Sequence, residues 1–226
     1  MGQSFSVRIV LVMLILFASA VPGASAAQTS AAGPMVNVLL FNYSIAPAEV
    51  LIKGTAEATR IFAGSGITVN WTYCPPHPSA DSLRGCEAEP SPGEIRVRVL
   101  GRQLNNVFQD GIFGFAIAPT FASVYYESAQ TLINTSTDSE SYLPMVLGCL
   151  MAHEIGHLLR GENQHTVSGI MQSGWDIRQI QQVTKGALQF NPQQAVRMRK
   201  AIQTRANPPA GTRLDSTEIA SRQAFK

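Results

Sequence analysis

The feature that most constrains this chain is a long apolar segment that carries two histidines one helical turn apart. Residues Ser141 to Arg160 follow a helical pattern. Asp138 or Ser139 can cap this helix, and Gly161 ends it. The motif His153-Glu154-Ile155-Gly156-His157 lies inside the pattern, and residues i and i+4 of a helix share one face. Both imidazoles can therefore reach a single metal ion.

The glutamate of this motif has a chemical role beside such a metal. Glu154 lies to the side of the ion, where its carboxylate can take a proton from metal-bound water and later give it to a leaving amine. Zn2+ suits the site because it accepts imidazole nitrogens, and a catalytic zinc needs three protein ligands plus an open position. The motif therefore predicts a Zn2+ cofactor held by His153 and His157, with Glu154 as the general base.

The third ligand has to come from beyond the helix, and three residues are candidates. His165 offers a nitrogen donor and follows Gly161, where the chain can turn sharply because glycine adopts positive φ at no steric cost. Asn163 offers only an amide oxygen, which zinc rarely takes in place of imidazole. Asp176 stands at the start of a predicted helix, where capping accounts for it. The residues favour His165, and a zinc hydrolase with Asp176 or Glu218 as an acidic third ligand is the alternative.

From Ala152 to Met171 the chain resembles the metzincin superfamily of zinc peptidases. Their pattern is H-E-x-x-H-x-x-G-x-x-H, followed by a tight turn with a methionine beneath the metal. The segment Gly169-Ile170-Met171 stands where that turn is expected, soon after the third histidine. The resemblance implies a peptidase in which Met171 forms the hydrophobic floor of the site. It implies the same ligands and general base as the residues themselves, namely His153, His157 and His165 with Glu154.

The loop to the third ligand is longer here than in the family pattern. That pattern has its glycine three residues after the second histidine and its third histidine three residues later. In this chain Gly161 comes four residues after His157, and His165 comes four residues after Gly161. Arg160 and Asn163 therefore occupy the strict glycine and third-ligand positions. This spacing indicates an outlying branch of the superfamily.

Alternation and helical periodicity predict the elements around the motif. The predicted strands are Met35 to Tyr43, Ile67 to Tyr73, Glu94 to Leu100, Ile112 to Ala118 and Phe121 to Tyr126, and the predicted further helices are Pro47 to Phe62, Trp175 to Val183 and Pro192 to Arg205. This order predicts an α+β fold. An α/β-type upper subdomain carries a mixed twisted sheet, a backing helix and an active-site helix, above a small irregular and helical lower subdomain. Metzincin upper subdomains have a similar order.

The apolar stretch from Phe121 to Tyr126 has two interpretations. An edge strand there could pair with an extended peptide substrate through its free backbone groups. A strand buried inside the sheet would have the same composition.

The three cysteines have different surroundings in the sequence. Cys74 and Cys86 bracket a stretch rich in proline, serine and glycine that cannot hold itself by packing, which predicts a disulfide between them. Cys149 lies in the apolar helical segment and is predicted to be a buried thiol that behaves as a small hydrophobe. A metal-binding role for Cys149, one turn before His153, is the alternative.

The N-terminus has the order of a secretory signal peptide. Arg8 is followed by an apolar run of ten residues, Ile9 to Ala18, and by small residues around Ala26, after which cleavage is expected. A transmembrane helix needs about twice that length. The sequence predicts a signal peptide at residues 1–26, a single catalytic domain at 27–206, a loosely ordered tail at 207–226, and a secreted or periplasmic protein.

Composition limits the remaining classes of function. With 45% hydrophobic and 14% charged residues and a net charge of +2, the chain is neither disordered nor basic enough to bind nucleic acid. The expected partner is a peptide or protein substrate, and the processed protein is expected to be a monomer without a membrane anchor. The sequence predicts a secreted zinc metalloendopeptidase. An exported binding protein with structural zinc is the alternative, although such a site has no use for Glu154.

Overall fold

A mixed sheet of five strands in the order β2-β1-β3-β5-β4 forms the framework of the protein. The computed structural model describes residues 33–76, 85–86, 91, 93–102, 113–134 and 139–206, which belong to a compact unit spanning Ala32–Lys226. The strands are β1 (Met35–Tyr43), β2 (Thr68–Cys74), β3 (Glu94–Leu100), β4 (Gly114–Ile117) and β5 (Phe121–Tyr125). The helices are α1 (Ala48–Gly64), α2 (Tyr126–Asn134), α3 (Ser139–Arg160), α4 (Ile177–Thr184) and α5 (Pro192–Ala206).

Four strands are parallel, and β4 runs antiparallel to β5. Helix α1 provides the crossover that the parallel pair β1 and β2 needs. The predicted alternation of β3 is present, since Ile95, Val97 and Val99 are fully buried and the residues between them are half-buried. The α+β fold and the mixed sheet that the sequence predicts are confirmed.

Helix α3 passes through the centre of the core and packs closely on α1. A Cβ atom at Gly148 would lie within overlap distance of the Gly54 carbonyl oxygen, so glycine is required for this close approach. Among the described helices, the Ser141–Arg160 part of α3 alone has the length and apolar composition to cross a membrane. Since 83% of that window is buried inside the protein, it has the character of a core helix.

The interpretation of Phe121 to Tyr126 as a substrate-pairing edge strand is wrong. Strand β5 lies between β3 and β4, so both of its backbone edges are already paired. Its residues Ala122, Ser123, Val124 and Tyr125 are all buried, which explains why most of the stretch is apolar. Among the described residues, the strand at this edge of the sheet is β4.

The cysteines have the states that the sequence predicts. Cys74 and Cys86 form a disulfide with Cα atoms 5.6 Å apart, and they pack with Leu39 and Phe41. Cys149 is a free, fully buried thiol. The loop between the paired cysteines at 77–84, the predicted signal peptide at 1–26 and the predicted tail at 207–226 lie outside the described residues.

Replacing Cys74 and Cys86 together by serine is expected to lower the free energy of unfolding by about 2–3 kcal/mol, because the disulfide closes a short chain loop in the unfolded state. Denaturant unfolding of the oxidised parent and the double variant measures this difference. Mass spectrometry of a non-reduced digest provides the check on pairing. A cross-linked peptide that contained Cys149 would contradict the assignment.

Candidate metal centre

Three imidazoles converge at the C-terminal end of α3. His153 and His157 lie one turn apart on the same face of the helix, as the motif predicts. Gly161 then has a φ of +67°, a conformation in which the chain reverses without steric cost, and this reversal returns His165 to the helix. The ligand atoms of the three histidines all lie within 4.8 Å of one another. The Nε2 atom of His157 is 3.0 Å from that of His153 and 3.3 Å from that of His165.

Backbone carbonyls orient the two helical histidines. The Nδ1 atom of His153 donates to the Ile170 carbonyl oxygen at 2.7 Å, and that of His157 donates to the Glu162 carbonyl oxygen at 2.9 Å. Because a carbonyl can only accept, each Nδ1 carries the proton and each Nε2 presents a lone pair. Two lone pairs facing each other at 3.0 Å repel unless a cation lies between them. The donor set therefore fits Zn2+, and each of these two imidazoles is held by a backbone carbonyl, as zinc-binding histidines commonly are.

The protonation states also suit metal binding. Burial lowers the pKa of His153 to about 3, so this imidazole is neutral near pH 7. Burial likewise lowers the pKa of His157 and of His165. Because a metal ligand has to be a neutral imidazole, little free energy is spent on removing protons when the ion binds.

The carboxylate of Glu154 is buried beside the edge strand. Its side chain is only 5% exposed, and burial raises the pKa of Glu154 to about 8. A Cβ atom at Gly114 would lie 2.8 Å from Oε1 of Glu154, so β4 passes directly over the carboxylate. A carboxyl group whose pKa lies near neutrality can both take and return a proton. A cation held by the neighbouring imidazoles favours its ionised form.

The histidines and Glu154 lie in a cleft of about 470 Å³. The cleft is also lined by residues 113–116 of the edge-strand region and by residues 172–175. The ring of Trp175 lies 6.1 Å from that of His153 and 6.3 Å from that of Phe113, so aromatic surface lines this part of the cleft. The group able to hold a metal therefore lines a cleft with room for a ligand.

The chain is similar in structure to known proteins. No protein-family model matches the chain, and no curated protein matches it. A zinc-dependent peptidase from Methanocorpusculum labreanum matches in structure with a TM-score of 0.52 and 18% identity, covering 71% of this chain and 99% of that one. Archaemetzincin from Methanopyrus kandleri matches with a TM-score of 0.50 and 18% identity, covering 76% and 97%. The chain therefore shares the fold of these two archaeal proteins. That it belongs to an outlying branch of the metzincin superfamily stays a prediction.

Within this archaemetzincin-like fold, Met171 lies beneath the histidine helix. The turn begins at Gly169, which has a φ of +78°, and Met171 is fully buried. The sulfur of Met171 lies so close to α3 that a Cβ atom at Gly156 would be 2.8 Å from it. The same turn supplies the Ile170 carbonyl that orients His153. The turn therefore packs against the helix through Met171 and orients one imidazole through the Ile170 carbonyl.

Replacing Gly156 by alanine is expected to weaken Zn2+ binding, because the new methyl group would displace Met171 and Phe190 and with them the turn that holds His153. Overpacking of this kind costs about 1–3 kcal/mol. Calorimetric titration of the zinc-free protein with Zn2+ measures the change in affinity. An unchanged dissociation constant would show that the Met171 turn does not support the site.

The other candidate ligands differ in their surroundings. Asp176 caps α4, where its carboxylate accepts from the backbone N–H of Arg178 at 2.7 Å. Asn163 is an exposed residue that lines the same cleft as the histidines, but it offers only an amide oxygen. The Cys149 sulfur lies 3.9 Å from Oε1 of Glu57 on α1, and burial raises the pKa of this thiol. Glu218 lies outside the described residues.

Sequence reasoning did not identify several residues that shape the site. Gly114 and Trp175 line the cleft, and the carbonyls of Glu162 and Ile170 orient the ligands. Every residue has a backbone carbonyl, so the sequence does not indicate which carbonyls orient a ligand. The turn signal around Gly169-Ile170-Met171 was the one local cue that pointed to the Ile170 carbonyl.

Proposed function

We propose that this protein is an exported zinc metalloendopeptidase that cleaves peptide bonds with Glu154 as the general base. The observation that carries the proposal is the convergence of three imidazole Nε2 atoms in a cleft that is also lined by a buried carboxylate. Support also comes from the two structural neighbours, which are named as a zinc-dependent peptidase and an archaemetzincin. Export rests on the N-terminal signal-peptide pattern of the sequence.

The edge strand β4 can bind an extended substrate. The backbone N–H of Tyr125 donates to the Phe113 carbonyl, so the paired positions of this antiparallel ladder continue at Phe115 and Ile117. The backbone groups of Gly114 and Ala116 therefore point away from β5, at the edge that borders the cleft. A peptide that adds to this edge is held by main-chain hydrogen bonds beside Glu154.

Each residue of the site then has a defined task. His153, His157 and His165 hold the zinc ion, which when bound polarises the scissile carbonyl and makes water a better nucleophile near neutral pH. Glu154 accepts a proton from the attacking water and returns it to the departing amine. Burial of the Glu154 carboxyl keeps its pKa near neutrality, so both transfers are accessible. Phe113 and Trp175 supply aromatic surface to the cleft.

The experiment that tests the proposal joins metal analysis with a cleavage assay. The purified mature protein is expected to contain one equivalent of zinc and to cleave members of a peptide library. A chelator is expected to abolish cleavage, and added Zn2+ to restore it. Bound zinc without cleavage of any peptide would favour the alternative, an exported binding protein with structural zinc.

Replacing Ala116 by proline is expected to lower kcat/KM about two- to tenfold, the value of one backbone hydrogen bond, because proline removes the N–H that faces the substrate. The β4–β5 ladder should survive, since this N–H does not point to β5 and proline is tolerated on edge strands. Steady-state kinetics with a cleaved library peptide measures the change. Ala116→Gly, which keeps the N–H, is the matched control, and equal kinetics in both variants would contradict edge-strand binding.

A further inference from the structure

We propose that Arg160 is a positioning residue that holds the third-ligand loop, residues 161–165, in its metal-binding conformation. The inference rests on the proposed metal site and does not require peptidase activity. It starts from the residue that stands where the metzincin pattern has its glycine, immediately before a loop that is one residue longer on each side of Gly161.

The guanidinium of Arg160 donates hydrogen bonds to the loop at two points. Nη1 donates to the Gln164 carbonyl oxygen at 3.1 Å, and Nη2 donates to Oε2 of Glu162 at 3.1 Å. Gln164 directly precedes His165, and the Glu162 carbonyl orients His157. One side chain therefore contacts the neighbour of the third ligand and the residue that aligns the second ligand.

The carboxylate of Glu162 links Arg160 to a second arginine. Its Oε1 accepts from Nη1 of Arg197 on α5 at 2.8 Å, while its Oε2 accepts from Arg160. The side chain of Arg160 is only 5% exposed and that of Arg197 is 57% exposed. Buried charges require a partner far more than exposed charges do, so the Arg160–Glu162 pair is the main link and Arg197 the lesser one.

A longer loop needs such contacts for an entropic reason. Each additional loop residue adds conformations that must be given up when His165 meets the metal. Contacts that hold the loop before the metal arrives remove that cost from binding. Their contribution should therefore appear in the zinc affinity.

The stability of the zinc-free fold should depend much less on this pair. Removing one partner of a buried ion pair is strongly destabilising where it leaves a buried charge unpaired. Arg160→Met leaves no such charge, because the carboxylate of Glu162 is 37% exposed and keeps its contact with Arg197. The Nε atom of Arg160 is also buried without a hydrogen-bond partner among the described residues, which is a cost that an apolar side chain avoids. A positioning role and a purely structural role thus predict different results for the same substitution.

The test measures zinc affinity, ligand geometry and stability separately. Arg160→Met is expected to weaken Zn2+ binding about 10- to 100-fold in competition with a chromophoric chelator, the usual effect of losing a residue that orients a metal ligand. The visible absorption bands of the Co2+-substituted protein should shift, because the third imidazole is no longer held. The midpoint of thermal unfolding of the zinc-free protein should change by no more than a few degrees. Arg197→Met should weaken binding less than about fivefold, as expected for an exposed pair.

Arg178→Met is the matched control, because Arg178 also pairs with an acidic residue two positions away, Asp176, but is 76% exposed. It should leave zinc affinity and the Co2+ spectrum unchanged. The inference would be overturned if Arg160→Met bound Zn2+ as tightly as the parent, or if Arg178→Met lost as much zinc affinity as Arg160→Met. If Arg160→Met does not fold, Arg160→Lys is the deciding variant, because one ammonium group cannot replace both hydrogen bonds of the guanidinium. A zinc affinity equal to the parent's in Arg160→Lys would then overturn the inference. A parent protein that binds no zinc would instead refute the proposed function.

Discussion

Replacing Glu154 by glutamine is expected to abolish peptide hydrolysis while zinc stays bound at one equivalent. Glutamine has nearly the same shape as glutamate, but its amide can neither accept the proton of the attacking water nor return it to the amine. The three imidazoles are untouched, so the metal is retained. Loss of a general base costs about 10²- to 10⁴-fold in rate. Steady-state kinetics and elemental analysis of the same preparation measure both quantities.

The control for this substitution is Glu49→Gln. Glu49 is an exposed residue of α1 whose partner is Lys53, so its change should alter neither zinc content nor kcat. Hydrolysis at the parent rate in Glu154→Gln would show that another group acts as the base. Loss of zinc from Glu154→Gln would mean that the carboxylate supports the metal, contrary to its assigned role.

Replacing His165 by alanine is expected to remove most of the zinc affinity and with it the activity. The metal would keep only the two helical imidazoles, and the loss should exceed the roughly 10- to 100-fold that follows from disturbing an outer-shell partner. His165 is an exposed residue on a loop, so its truncation leaves the core intact. Competition with a chelator measures the affinity, and circular dichroism confirms that the zinc-free variant is folded.

Two variants make the His165 test specific. Asn163→Ala and Asp176→Asn should both keep nearly stoichiometric zinc, because zinc rarely takes an amide oxygen in place of imidazole and Asp176 caps α4. Zinc retained in His165→Ala but lost in Asp176→Asn would assign the protein to the hydrolases with an acidic third ligand. The two results together thus discriminate between the classes that the sequence left open.

Most of the regular elements could be predicted because their signals are local. The alternation of β3 and the apolar composition of β1 reflect burial on a pleated sheet, and both strands have the predicted limits. Helix α2 was not predicted, because β5 runs into it at Tyr126 without a turn residue between them. The sequence left open whether Phe121 to Tyr126 forms an edge strand or a buried strand, because a strand's neighbours depend on the topology of the whole sheet.

The sequence by itself determined the chemistry of the candidate site. The spacing of His153 and His157 is one helical turn, so local geometry alone brings the two imidazoles to one face beside Glu154. Only the tertiary structure decided what surrounds them, namely the passage of β4 over Glu154, the carbonyls that orient the imidazoles, and the contacts of Arg160 with the third-ligand loop. Helical periodicity acts over four residues, whereas these contacts join segments whose proximity is set by packing of the whole core.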